Sequence, residues 1–529
     1  MFRFPKLALT AITSVALSLS AHADVTDFDK SQLHQHISTL ASDRFEGRGP
    51  LTEGERLSVD YIEQQFKAIG LEPGYHGSYL QSVPLAKVTA DQNMSLKLGN
   101  LSFINGPEYT ARSNHITDKL KLKDSEMVFV GYGINAPEYG WNDYQGVDVR
   151  GKTVVMLVND PGFATQDPNL FKGNAMTYYG RWTYKYEEAG KQGAAAAIII
   201  HKTDAAGYPW SVVENSNTGS KYTLVDDNNN LGQVDIMAWL HQDAAKRLFK
   251  NAKLDFSKLS AAAAKPGFKA VSMNQQANLE FAQYSELAES KNLVGMIKGA
   301  HRPDEAVVIH AHWDHLGKQG GEGHIYNGAI DNATGVAGVL ELARTLKAIH
   351  AKKPFARSIY FTSFTAEETG MIGAQQFAEQ PPVATKNIAA FLNIDGMNVG
   401  APLDYVLRYG NDVSELELYL DRIAKDQNRY VKPDPRPQAG LLYRSDHFAL
   451  FKQGIPGLLF MSLGDNDPDY IPNRYHKPAD DYDPSWPLDG MVQDLQLMST
   501  MAQQLAYGDD WPKWLEDSEF KQRRAQDGR

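Results

Sequence analysis

The spacing of apolar positions changes along this chain, and each change predicts a different kind of element. In GERLSVDYIEQQFKAIGLEPG, Leu57, Tyr61, Phe66 and Ile69 recur near helical spacing, with Gly70 and Pro73 closing the segment, so an amphipathic helix is expected. From about Asp118 to Lys265 the pattern shifts to short β-rich runs, EMVFVGYGI, KTVVMLVND, AAAAIIIH and VDIMAWL, cut by Gly, Asn, Asp and Pro. A β-rich unit is predicted there. From Asn292 onward, NLVGMIKG, AVVIHAHWD, SIYFTSFTAEE, AAFLNIDG and IPGLLFMS read as continuous apolar strands, and helix-patterned segments such as TGVAGVLELARTLKAI lie between some of them. Strands that are apolar throughout need cover on both sides. This predicts α/β architecture, a mostly parallel mixed sheet with helices on both faces.

Two stretches leave the pattern ambiguous. YYGRWTYKYEEAGKQG sets Tyr179, Trp182 and Tyr186 on one helical face, which suits packing against neighbouring strands or the lining of a substrate cleft. The tail GDDWPKWLEDSEFKQRRAQDGR reads as a solvated helix or arm.

Composition narrows the class. At 529 residues, 42% hydrophobic and 22% charged, the chain is globular and long enough for more than one core. A net charge of -11 without a Lys/Arg block in the body removes the electrostatic footprint of a nucleic-acid binder, so no nucleic-acid partner is expected. The start, MFRFPKLALTAITSVALSLSAHAD, places Arg3 and Lys6 before an apolar run that is too short to span a bilayer, followed by Ala21 and Ala23. It reads as a secretory signal over 1–23, which makes the protein exported, periplasmic or secreted, with no membrane association once the signal is removed. Cysteine is absent, so there are no disulfides, and any bound metal must use nitrogen and oxygen ligands.

Chemistry collects after the strands of the α/β part, where ligands gather in open parallel sheets. AVVI runs into His312 and Asp314, SIYFTSF into Glu367 and Glu368, and AAFLNI into Asp395. NGAIDNATG delivers Asp331, and NRYHKPADDYD delivers His476. Singly, each has an ordinary explanation: Thr365 and Glu368 have capping-box spacing, Asp331 suits a turn or helix cap, and Asp395 before Gly396 suits a turn. Together, three carboxylates and two imidazoles in one place would destabilise the fold unless cations compensated them. Two divalent metals and one hydroxide would balance the charge. A thiol-free nitrogen and oxygen set suits catalytic zinc.

The ordered motifs HAHWDH, GAIDNATG, TAEETG, NIDG and YHKPADD resemble the co-catalytic dizinc aminopeptidases and glutamate carboxypeptidases of metallopeptidase family M28. The resemblance covers about Asn292 to Tyr507 and implies a zinc-exopeptidase, phosphorylase/hydrolase-like fold. VFVGYGINAPEYGWNDYQGVDVRGKTVVML resembles the protease-associated (PA) domain that many members carry, and LASDRFEGRG resembles the family's first peptidase segment. The organisation this implies is a signal at 1–23, a first peptidase segment at 24–117, a PA insertion at 118–265, the main peptidase domain at 266–507 and a charged tail at 508–529.

The resemblance also implies roles. His312 and Asp395 would hold one zinc, Glu368 and His476 a second, and Asp331 would bridge both. Cobalt and manganese are the alternative metals. Asp314 would orient His312, leaving His310 and His315 as bystanders. Glu367 would be the general base acting on a water shared by the metals, and Tyr475 would supply a donor to the oxyanion. Asp480 would support the His476 loop. YRSDHFALF resembles a stretch near the family's substrate pocket, so Arg444, Ser445, Asp446 and His447 are candidates for substrate contact, although a plain helix cap suits Ser445 or Asp446 equally. The implied activity is an aminopeptidase acting on peptides. The alternatives are a carboxypeptidase or dipeptidase of the same family, a glutaminyl cyclase-like enzyme with one zinc, and a non-catalytic ectodomain of the transferrin-receptor type. The sequence leaves the oligomeric state open.

Overall fold

The structure, a computed structural model, describes residues 28–319, 324–463, 467–526 and 528. The expected signal at 1–23 lies outside the described residues. Helix α1 (Lys30–Leu40) begins where the Asp29 carboxylate accepts from the backbone N–H groups of Ser31 and Gln32. The predicted amphipathic segment is α2 (Glu53–Ile69), capped by Thr52 and ended by Gly70 in the left-handed region at φ 80°. Val59, Ile62 and Phe66 form its buried face, with Leu57, Tyr61 and Ile69 partly buried beside it.

Along the chain follow β1 (Leu80–Ala90), β2 (Lys119–Phe129), β3 (Thr153–Leu157), α3 (Trp182–Lys191), β4 (Ala196–His201), β5 (Ile236–His241) and β6 (Val271–Ile297). After these come β7 (Arg302–His310), α4 (Gly335–Lys352), β8 (Arg357–Ser363), β9 (Ile388–Ile394), β10 (Gly457–Phe460) and α5 (Asp489–Tyr507), with shorter elements between. In one part of the sheet the order is β10-β9-β7-β8-β6-β1. The first four strands are parallel, while β6 runs antiparallel to both β8 and β1. Alternate residues of β7 face opposite ways: Val307 and Ile309 join the core made with α1, α2, α4 and α5, and Ala306 and Val308 join Phe377, Leu450 and Ile455. Both faces are therefore covered, as continuous apolar strands require, and each buried Leu, Ile or Phe contributes roughly 1.5–3 kcal/mol over its exposed state.

The β-rich runs after Asp118 are strands β2 to β5, which lie parallel to one another, with Tyr109–Arg112 antiparallel to β5. Helix α3 lies between β3 and β4 in sequence, and the helix Gln242–Asn251 follows β5. The first half of β6 pairs with β2 and its second half with β1 and β8, so one 27-residue strand is common to both sheets. Of the aromatic residues with two readings, Tyr179 and Tyr186 are buried in packing: Tyr179 meets Phe171 and Tyr184 edge-on, and the Tyr186 hydroxyl donates to the Ala238 carbonyl.

The C-terminal segment departs from the solvated arm that its charge suggested. Trp514 and Phe520 are buried against Phe451, and Glu519 accepts from the backbone N–H of Tyr178 and the hydroxyl of Tyr443. Two aromatic side chains in a charged stretch were enough to dock it.

Candidate metal centre

Strand register assembles the site. His310 at the end of β7 lies opposite Thr362 of β8 and Asn393 of β9, so the residues that follow each strand emerge at one edge. His312 comes two residues after this row and Asp395 two residues after Asn393. Asp331 arrives separately, from the irregular turn Ala329–Thr334 that leads into α4. That turn starts at Gly328, whose φ is 54°; a Cβ there would lie 2.2 Å from the Asp331 carbonyl oxygen and 2.5 Å from the His315 ring. Only glycine fits. The reading of Asp331 as a helix cap gives way, since Thr334 occupies that position. No helix starts at Thr365 to be capped, because the next one begins at Ile372.

Five predicted ligands converge. His312 Nε2 lies 3.4 Å from Asp395 Oδ1 and 3.5 Å from Asp331 Oδ1. On the other side of Asp331, His476 Nε2 lies 3.1 Å from both Asp331 Oδ2 and Glu368 Oε2. Asp331 thus turns one oxygen to each group. His312, Asp331 and Asp395 offer ligand atoms within 4.8 Å of one another, and so do His315, Asp331 and Glu368. His315 is therefore no bystander: its Nδ1 is 2.5 Å from Glu368 Oε1. The loop after β7 curls back, so a histidine three residues beyond His312 reaches the second group.

The charges explain what such a site requires. Burial opposes ionisation of Asp331, but the imidazoles of His312 and His476 against its oxygens hold it well below the usual carboxylate range. Burial lowers the basicity of His476, yet Glu368 and Asp331 push it up to about 11, and Asp331 and Asp395 likewise raise His312 well above its ordinary value. Without cations, protonated imidazoles supply the positive charge. The hard oxygen and borderline nitrogen donors, in two groups sharing one carboxylate, fit two divalent cations such as zinc. Glu367 stands apart from both groups. Burial, opposed by His312 but reinforced by Asp395, Asp446 and Glu368, lifts its carboxyl well above the ordinary range.

Supporting residues fix these groups. Asp480 accepts from the N–H groups of Ile330 and Asp331 and from the Tyr470 hydroxyl, which ties the Asp331 turn to the loop that carries His476. Asn332 accepts from Gly335 and Gly396 and donates to the Ile394 carbonyl, linking that turn to Asp395. The Asp314 carboxylate accepts from the backbone of Glu367 at 3.0 Å and Glu368 at 3.4 Å, whereas it is 3.7 Å from His312 Nδ1. The closer partner of that nitrogen is the Asp314 carbonyl oxygen at 3.2 Å. Asp314 therefore positions the glutamate pair more directly than the histidine. The Tyr475 ring stacks on His476 at 3.9 Å, and burial followed by the charges of Asp331, Glu368 and Asp395 keeps its phenol protonated.

The four substrate-contact candidates divide. Arg444 is exposed, but Ser445, Asp446 and His447 are fully buried behind the strand ends, so they do not contact substrate. Asp446 bonds to His310 instead, and Ser445 and His447 meet Asn393. The helix that follows them packs inward on Phe448 and Leu450, which draws its first turn under the sheet. Sequence reasoning also missed Arg48. This fully buried guanidinium donates to the carbonyls of Leu40, Trp313, Asn327 and Gly328, clamping the loops on either side of the site. Arg48 shares RFEGRG with two other charged residues, Arg44 and Glu46, so the sequence did not single it out.

The α/β sheet ends in two acid–imidazole groups with a shared aspartate, a donor set that suits divalent cations. Residues 292–500 match Peptidase family M28. The chain is 34% identical to "Aminopeptidase NAALADL1" of Mus musculus over 113 residues, 21% of this chain and 14% of that protein. It is 36% identical to "Probable zinc metalloprotease" of Pyrenophora tritici-repentis (strain Pt-1C-BFP) over 108 residues, 20% of this chain and 23% of that one. The matched stretch thus spans less than a quarter of either relative. Among solved structures, "Aminopeptidase from Aneurinibacillus sp. strain AM-1" aligns over 92% of this chain and 95% of its own, with a TM-score of 0.50 and 21% identity, a likeness of fold.

Proposed function

We propose that this protein is an exported zinc exopeptidase, an aminopeptidase that removes amino-terminal residues from peptides. The observation that carries the reading is Asp331 with His312 and Asp395 at one oxygen and His476 and Glu368 at the other. Two zinc ions held by these five residues would, when bound, polarise the scissile carbonyl and acidify water. His315 would steady Glu368 through its 2.5 Å contact. Glu367 would take the proton from the attacking water and return it to the leaving amine, a role suited by a carboxyl whose affinity for protons is raised. The Tyr475 hydroxyl, kept protonated among carboxylates, would donate to the developing oxyanion. A field of carboxylates also suits a free amino terminus.

We further infer that 118–265 is a protease-associated insertion between the peptidase segments 24–117 and 266–507. A secretory start at 1–23 implies export, which amino-terminal sequencing of the secreted or periplasmic protein would test.

A panel of aminoacyl chromophore substrates with free and blocked amines, run with metal analysis, tests the activity. Two zinc ions per chain and cleavage that requires the free amine are expected. Cleavage indifferent to blocking would overturn the aminopeptidase assignment. One zinc with cyclisation of glutaminyl peptides would replace the reaction class, and no bound metal with no hydrolysis would leave a binding protein.

A further inference from the structure

Thr365 caps no helix, yet its hydroxyl is engaged. Its Oγ1 lies 2.6 Å from Ser290 Oγ on β6, and Ser290 Oγ lies 2.9 Å from Glu55 Oε1 on α2, with all three side chains buried. An ionised carboxylate can only accept, so Ser290 donates to Glu55 and its own oxygen accepts from Thr365. The direction of the relay is thereby fixed. The other carboxylate oxygen of Glu55 accepts the backbone N–H of Leu51 at 2.5 Å. Burial raises the Glu55 carboxyl above its ordinary value, opposed by Leu51, Ser290 and the charge of Lys291. A carboxylate inside the protein is costly, and once its partners are satisfied it makes its surroundings rigid.

What the relay grips is the turn that carries the glutamate pair. The Thr365 N–H donates to Asn292 Oδ1 at 3.1 Å, and its carbonyl accepts from Gly373 at 3.0 Å. A Cβ at Gly373 would lie 2.4 Å from Asn292 Oδ1 and 2.5 Å from the Thr365 carbonyl oxygen, so the turn closes too tightly for a larger residue. Ala366 then adopts φ 55°, in the left-handed region that alanine rarely visits, and packs in a buried cluster with Val83, Leu85 and Ile372. Backbone in this state persists only where its neighbours over-determine it. Glu367 follows directly, and its N–H is held by Asp314, from the loop after β7, at 3.0 Å.

We propose that Glu55, Ser290 and Thr365 are positioning residues that aim Glu367: the relay pins Thr365, the left-handed Ala366 passes that hold on, and the carboxylate is set against the water it deprotonates. This rests on the peptidase reading above. It gives α2, from the start of the chain, a part in the chemistry without contact with substrate. A displacement of the base by 1 Å costs on the order of a hundredfold in rate.

The test compares the zinc-loaded full chain with Thr365→Val, which keeps the shape and removes the hydroxyl, with Thr365→Ser, which keeps the hydroxyl, and with Ser290→Ala. The valine and alanine variants should lose about ten- to a hundredfold in kcat with KM within about twofold of the parent, and the serine variant should recover most of that loss. With Glu367→Gln already in place, Thr365→Val should cost at most about threefold more, because no base is left to aim. Amide hydrogen exchange over 363–373, measured on the same proteins, should speed up in the valine and alanine variants and not in the serine variant. Parental kcat in both Thr365→Val and Ser290→Ala, a full further loss in the Glu367→Gln background, or unchanged exchange in the turn would overturn the relay. A parent chain that cleaves no aminoacyl substrate would instead remove the peptidase reading, and exchange alone would then decide whether the relay holds the turn.

Discussion

Asp446 Oδ2 lies 2.7 Å from Nε2 of His310, and neither side chain reaches solvent. Burial pushes the Asp446 carboxyl up to about 8 against the pull of His312, and holds His310 well below the ordinary imidazole value. Both groups therefore favour their neutral forms. Asp446→Asn keeps a hydrogen-bonding partner for His310 and should leave the unfolding free energy within about 1 kcal/mol, whereas Asp446→Leu strands that nitrogen and should cost ~1–3 kcal/mol. Urea unfolding checks both, and a leucine variant as stable as the parent would refute the pairing.

Arg48 should be the most sensitive position outside the candidate ligands. Arg48→Met leaves four buried carbonyls without their donor, and losses of this kind are on the order of 3–5 kcal/mol. Because two of those carbonyls belong to Asn327 and Gly328, just ahead of the Asp331 turn, metal content should fall as well. Calorimetric unfolding with metal analysis tests this; a variant that melts unchanged with full metal content would rule the clamp out.

For Glu367→Gln, metal should stay bound while turnover drops by about 10²–10⁴, because only proton transfer is removed. Asp331→Asn should instead deplete both metals. Steady-state kinetics beside zinc analysis separates the two outcomes. Near-parental turnover in the glutamine variant would dismiss Glu367 as the base.

Chelation should destabilise the fold. Each zinc present at a hundred times its dissociation constant adds about 2.7 kcal/mol to the native state, so its removal should lower the melting temperature and its return should restore it. A melting curve that ignores both treatments would argue against occupancy of the two groups.

His36 gives a pH dependence away from the site. Buried in α1 with its Nδ1 2.7 Å from the Tyr61 hydroxyl, it has its pKa lowered by burial from 6.5 to about 4. The unfolded chain then binds the extra proton between these values, so stability from this group is full above pH 6.5 and is lost as pH falls toward 4. The whole effect is on the order of 3 kcal/mol. His36→Gln should flatten the acid side of the stability profile, measured by urea unfolding at a series of pH values; an unchanged slope would contradict the assignment.

Much of the fold was legible because local pattern and global environment agree. The apolar runs after Asn292 are strands β7 to β10 or parts of β6, and TGVAGVLELARTLKAI is α4. Periodicity could not show that β6 crosses from one sheet to the other, because that depends on partners on both sides and not on its own residues. Nor could charge reveal that Trp514 and Phe520 dock the tail.

The sequence by itself determined which chemistry is available: nitrogen and oxygen donors without thiols, placed after apolar strands and spaced in the order of a known family. Tertiary structure decided which donors meet. Register set His310, Thr362 and Asn393 in one row, loop curvature drew His315 to Glu368, and burial turned Ser445, Asp446 and His447 away from solvent. The reason is physical: residue type fixes what a side chain can bind, while distance, burial and neighbouring charge arise only when segments remote in sequence pack together.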